Sequence, residues 1–156
     1  NYGGGGHISG GVAQADVLGI FGREGVALAA YWQLSDQVSF IDAAFRVFTS
    51  YDDDGAHFGD TSISAVTSDV EKTSVYASYD AQNPGRTVIV AINKTDAPVK
   101  AAVSVAAYGD YTSVAAWQLV EAAPELSSVP GPELSATNAF VYELPARSVS
   151  VLVPAP

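Results

Sequence analysis

The chain has 156 residues, 48% hydrophobic and 15% charged, which is enough for an ordinary packed core and excludes a disordered chain. Seven Lys and Arg against 17 Asp and Glu give a net charge of −10, which argues against nucleic acid or an anionic membrane as partner. Cys is absent, so disulfides, thiolate metal sites and a Cys nucleophile are excluded.

Residues 1–11 hold six glycines. They read as a loop whose backbone can take positive φ and approach a ligand closely. The loop is neither a dinucleotide fingerprint nor a phosphate-binding loop, because no strand precedes it and no Gly-Lys-Ser/Thr follows. Residues 12–24 carry Ala13, Val17, Ile20 and Phe21 on one stripe, with Val12 and Leu18 beside it, at helical spacing. Ser9 is the candidate cap, and Gly25 is placed to end the helix.

Residues 26–34 form a short, almost wholly apolar run that ends in Tyr31-Trp32-Gln33. Such a run suits a strand buried on both faces, as in a parallel sheet. Ligands bind at the C-terminal ends of such strands, so Trp32 reads either as a stacking platform or as a Trp that closes the core. Ser39 as cap with Asp42 three residues on predicts a second helix, with Ile41, Ala44, Phe45 and Phe48 on its apolar face, ending near Tyr51.

Beyond Gly55 the character changes. Short β-rich runs at 62–67, 74–79, 87–93, 99–105, 112–119, 140–144 and 148–153 are separated by turn signals and suggest an antiparallel sandwich. The Asn83-Pro84-Gly85 stretch and residues 94–98 read as hairpin turns. Residues 121–136, with three prolines, read as a long irregular connection. The expected fold class is thus α/β plus all-β, with a boundary near residues 53–60. A (β/α) barrel needs eight strands and about 250 residues. The first half is therefore expected to pack on protein outside this chain, and only residues 59–156 to be able to fold alone.

His7 and His57 are the only histidines, and no His or carboxylate cluster has zinc spacing. The Asp52-Asp53-Asp54-Gly55 run departs from a calcium loop at its last position, where Thr61 stands instead of Glu. It reads as a solvated turn. No cofactor is expected, with a structural calcium at Asp52, Asp54 or Asp60 as the alternative. Asn93-Lys94-Thr95 is a glycosylation sequon in a eukaryotic secretory setting. Neither a Ser-His-Asp arrangement nor a catalytic carboxylate pair emerges from Asp16, Glu24, Asp36, Asp42 or the Asp52 run.

The segment Asn1-Tyr2-Gly3-Gly4, the run over residues 7–25 and Ala30-Tyr31-Trp32 together strongly resemble glycoside hydrolase family 44. The β-rich half resembles the same family at residues 76–79, 88–94, 116–119 and 144–149. The resemblance implies the C-terminal portion of a secreted, retaining endo-β-1,4-glucanase. Residues 1–58 would be the loop after strand seven, helix seven, strand eight and helix eight of a (β/α)8 barrel, and residues 59–156 a β-sandwich. It implies a nucleophile Glu two residues before the Asn-Tyr-Gly motif and an acid/base Glu on the fourth strand, both outside this chain. It further implies that Trp32 carries a sugar ring and that Tyr2 lines the cleft. The implied partners are a β-glucan and the N-terminal barrel portion. The competing reading is a non-catalytic sandwich that binds carbohydrate or supports a neighbour. Aromatics such as Tyr76, Tyr79, Tyr108, Tyr111 and Trp117 on a flat sheet face would favour it.

Overall fold

The computed structural model describes residues 4–32, 36–107 and 109–156, with the side chain of Asp36 excepted. Two helices, α1 (Ile8–Arg23) and α2 (Ser39–Thr49), precede nine antiparallel strands. The large sheet has six strands in the order β1 (Thr61–Ile63), β2 (Thr73–Asp80), β3 (Asn83–Asn93), β9 (Ser148–Ala155), β5 (Ser113–Val120) and β6 (Ala123–Val129). The small sheet has three: β4 (Val99–Ser104), β8 (Ala139–Leu144) and β7 (Leu134–Ala136). The expected antiparallel sandwich is present, and the two helices make a third layer on its large sheet.

The centre of the large sheet, β3 and β9, is buried on both faces. Val88, Val90 and Ile92 of β3, with Val149 and Val151 of β9, pack with Ile8, Val12, Ala15, Phe40, Ala44 and Val47 of the helices. Ile89 and Ala91, with Leu152, pack on Phe140, Tyr142 and Leu144 of the small sheet. Side chains alternate across a strand, so the unbroken apolar run of β3 supplies both cores at once. The helices' inner faces are thus covered within the chain, contrary to the expectation that they need protein outside it.

The helical stripe is rotated from the one expected. Ile8, Val12, Ala15 and Gly19 are buried, whereas Ala13 is exposed and Val17, Leu18 and Phe21 are half-buried. Small residues at Gly11 and Gly19 decide this. A Cβ at Gly11 would lie 3.0 Å from the Phe40 carbonyl oxygen, and one at Gly19 would lie 2.3 Å from the Tyr76 ring. The helix approaches the sheet by its smallest face and leaves its bulkier apolar residues partly open. Replacing Gly19 with alanine should favour an isolated helix by about 1 kcal/mol. In the protein it is expected to lower Tm instead, because the Tyr76 ring must move and its hydroxyl donates to Asp16 Oδ1 at 2.6 Å. A thermal melt of Gly19→Ala checks this, and an unchanged or raised Tm would show that the ring yields freely.

The ends of α1 follow local chemistry. His7, not Ser9, is the cap: its Nδ1 accepts the Ser9 amide at 3.1 Å. Gly25 ends the helix as expected, with φ of 72°. The Val26 amide donates to Phe21 O at 2.9 Å and the Gly25 amide to Gly22 O at 3.3 Å, the paired bonds of a Schellman motif. The capping box at α2 does not form. Ser39 is already helical, Val38 precedes it without a side-chain cap bond, and the Phe40 amide donates to the Gly5 carbonyl at 3.1 Å. A backbone carbonyl from the glycine loop therefore does the work of a cap.

The expected strand at 26–32 is not a strand, and neither sheet includes it. Gln33 and Leu34 lie outside the described residues. Val26 is 45% exposed, Leu28 87% and Trp32 78%. A parallel strand needs ladder partners on either side, and the described strands are committed to the two antiparallel sheets.

Three further readings are corrected. The β2–β3 turn is residues 81–82, with β3 starting at Asn83, because Asp60 Oδ1 accepts the Ala81 amide at 2.9 Å and holds the turn there. Residues 94–98 are not a hairpin but a crossover from the large sheet to the small one. The irregular connection contains β6 and β7. Pro124 sits in β6, where it is tolerated because β6 is an outer strand of its sheet.

Candidate functional site

At the start of α1, glycines allow three backbone segments to meet. A Cβ at Gly10 would lie 2.2 Å from Gly4 O, one at Gly5 2.6 Å from Val38 Cγ1, and one at Gly6 3.2 Å from Gln37 O. Gly4 itself has φ of 87°, and its carbonyl accepts the His7 amide at 3.0 Å. The glycine loop is thereby pressed onto the start of α1 and onto Gln37 and Val38 just before α2. The loop is expected to approach a ligand; the close approaches the structure shows are to the chain's own backbone and to Val38. His7 adds an exposed contact, its Nε2 lying 3.4 Å from Glu121 Oε1 in the turn between β5 and β6.

Trp32 follows the exposed Val26 and Leu28 along an apolar run that belongs to no sheet. Within this chain the Trp32 residue is 78% exposed and closes neither of the two described cores. Tyr2 lies outside the described residues. No signal in the sequence marked Val26 and Leu28 as surface, since an apolar run reads the same whether buried or awaiting a cover.

The remaining candidates have structural roles. Asp16 accepts from Tyr76 and lies 4.0 Å from Lys94 Nζ. Burial, with Asp16 adding to it, pushes the Tyr76 phenol well above its usual range. Glu24 pairs with Arg23 in solvent. Asp52 Oδ1 accepts the amides of Asp54 and Ala56, both at 2.9 Å, and the Asp54 amide foremost holds its carboxyl below the usual range. Asp53 pairs with Arg46, and Asp60 accepts from Thr61 and Ala81. Among the described residues, no three His, Asp or Glu come together in a way that could hold a metal ion.

Asn93 is fully buried. Its Nδ2 donates to the carbonyls of Ala97, Leu144 and Pro145, and its Oδ1 accepts from the Thr95 amide and hydroxyl. The sequon is therefore the clasp of the crossover between sheets, with no free amide to carry a glycan. Tyr76 and Tyr111 are buried, and the Trp117 ring packs 4.9 Å from Tyr51. Tyr79 is half-buried, and Tyr108 lies outside the described residues. Tyr76, Tyr111 and Trp117 serve the core and supply no flat sugar-binding face. Among the described residues, no helix is long and apolar enough to cross a membrane.

No family model matches the chain. Endoglucanase A of Paenibacillus lautus is 36% identical over 154 residues, which is 98% of this chain and 22% of that protein. The crystal structure of a family 44 endoglucanase from Clostridium thermocellum superposes with a TM-score of 0.94 at 36% identity, covering 99% of this chain and 30% of that one. A xyloglucanase of glycoside hydrolase family 44 from Paenibacillus polymyxa superposes with a TM-score of 0.93 at 33% identity, covering 99% of this chain and 31% of that one. The chain thus spans between about a fifth and a third of the length of these relatives.

Proposed function

The chain belongs to glycoside hydrolase family 44 and corresponds to its C-terminal portion, and on that premise we propose that it forms part of a secreted, retaining endo-β-1,4-glucanase. The substrate is a β-1,4-glucan, plain or xylosylated. The observation that carries this reading is the apolar run at Val26, Leu28 and Trp32, exposed and outside both sheets. A barrel portion from the rest of the protein would cover Val26 and Leu28, supply the ladder partners that residues 26–32 lack, and turn them into the last strand of a (β/α)8 barrel. Trp32 would then stand at the C-terminal end of that strand, the face on which barrel active sites are built. The domain boundary falls near residue 58, with the helices belonging to the barrel and the strands to the sandwich.

In a retaining glycosidase, one carboxylate attacks the anomeric carbon and the other first protonates the leaving oxygen and then activates water, with the two about 5–5.5 Å apart. Both belong to the barrel portion in this reading. This chain contributes the platform: the Trp32 indole offers an apolar face to the CH face of a glucose ring, and Tyr2 lines the same cleft. The chemistry needs no cofactor, and any cation held by the acidic turns would be structural.

The 156-residue chain alone is expected to give no hydrolysis of soluble β-1,4-glucan, and the chain recombined with the upstream barrel portion is expected to be active. Reducing-sugar release measured on both samples checks this. Clear activity from the chain alone would overturn the reading and turn attention back to its own carboxylates.

A further inference from the structure

The two sheets do not match in width. Six strands lie opposite three, and the small sheet leaves part of the large one open. The opening is a groove of about 790 Å³. Its floor is Val75 and Ala77 of β2 with Ile89 and Ala91 of β3. One wall is β4, and the other is the segment 63–68.

Two features say what shape the groove takes. Residues from both faces of β4 line it, Lys100, Ala102 and Ser104 as well as Val99, Ala101 and Val103, so the groove runs along the edge of that strand and not under its face. That edge carries no ladder among the described residues, because β4 pairs with β8 alone. On the opposite wall, the in–out alternation of burial continues past β1 from Ile63 through Thr67, yet residues 64–67 belong to no strand. Ala65 faces the core, while Val66 is 88% exposed. An extended, alternating segment without a ladder thus faces an extended strand with one ladder missing.

We propose that this groove is the seat of one further β-strand, supplied by the portion of the protein outside this chain, which pairs with the free edge of β4 and completes the small sheet. The inference rests on the reading that the chain is part of a longer enzyme, and the relatives are three to five times as long as the stretch they share with it. The free edge of β4 points to a polypeptide strand, which alone can continue its ladder. The lining of the groove mixes Ala, Val and Ile side chains with small Ser and Thr hydroxyls and a single charge, Lys100, and the free edge of β4 adds a row of backbone N–H and C=O groups that no ladder uses among the described residues. The six residues of β4 span about 20 Å at about 3.3 Å per residue, so the incoming segment is about six residues long. Its inward side chains are small and apolar, to lie over Ala77 and Ala91, and an acidic residue would suit the position beside Lys100.

Hydrogen–deuterium exchange tests this, read on the amides of residues 99–104 in the 156-residue chain and in the natural full-length protein. Alternate amides of β4 point away from β8 and are expected to exchange quickly in the chain alone. In the full-length protein the same amides should slow by on the order of 100-fold or more. Equal rates in both would overturn the inference. Slow exchange in the chain alone that fades on dilution would mean that a second copy fills the groove, and would overturn it equally. Activity on β-glucan, measured on the same full-length sample, separates the two claims. An active protein with fast β4 amides keeps the glucanase reading and loses the strand, and an inactive one with protected amides does the reverse.

Discussion

Replacing Trp32 with alanine in the full-length enzyme should lower kcat/KM for soluble β-glucan by roughly five- to hundredfold while Tm moves by about 2 °C or less. An apolar platform of this size contributes on the order of 1–3 kcal/mol when it covers its ligand. At about 1.4 kcal/mol per decade, that range gives the stated factor. The small thermal effect follows from exposure. At 78% exposed, the indole has little packing within this chain to lose, and substitutions at such positions usually stay within about 0.5 kcal/mol. A Trp that instead packs into the barrel would cost about 3–5 kcal/mol on truncation and would lower Tm by many degrees. The measurement is therefore a pair, steady-state kinetics and a thermal melt on the same preparation. A variant that melts far lower but keeps its activity per folded molecule would make Trp32 a packing residue and remove it from the substrate site.

The strands were largely legible because their signals are local. Val99, Ala101 and Val103 alternate with Lys100, Ala102 and Ser104, and the structure gives β4 the same alternation of half-buried and exposed positions. Gly25 marked the end of α1 because only a left-handed residue closes that turn cheaply. What the sequence hid was which surfaces meet. The rule that a continuous apolar run is a strand buried on both faces is sound, and it describes β3. Applied to residues 26–34, it picked a run of the same composition whose covering is absent from this chain. Periodicity reports what a segment can bury, not whether a partner is at hand. The stripe on α1 was misplaced for a related reason. Hydrophobicity scales favour Val17, Leu18 and Phe21, but close packing on the sheet selects Gly11, Ala15 and Gly19, where small size matters more than apolar character. For the candidate site, the sequence singled out Trp32 but not its exposure. The packing of the glycine loop was hidden too, because it depends on contacts of Gly5 and Gly6 with Gln37 and Val38, more than thirty residues apart along the chain.

The same shared core makes deletion of residues 1–58 the most damaging change this structure predicts. From composition, residues 59–156 look able to fold alone, since they hold every strand of the sandwich. The packing argues otherwise. Val88, Val90, Ile92, Leu119, Val149 and Val151 are fully buried in the layer between the helices and the large sheet. Burying a Val, Leu or Ile is worth about 1.5–3 kcal/mol, so uncovering six of them forfeits on the order of 10 kcal/mol. That equals the whole stability of an ordinary domain, about 5–15 kcal/mol. The deletion also strips Tyr76 of its Asp16 acceptor, and Arg86 of its contacts with the Tyr51 hydroxyl and the His57 carbonyl. It lays bare one contiguous apolar sheet face, a surface that soluble monomers rarely leave open. Residues 59–156 expressed alone should therefore lack a cooperative melt, and sedimentation should find them associated. A monomeric fragment with a sharp thermal transition would show that the small-sheet core of Ile89, Ala91, Phe140, Leu144 and Leu152 is sufficient by itself, and that the helical layer is a lid on a fold already complete.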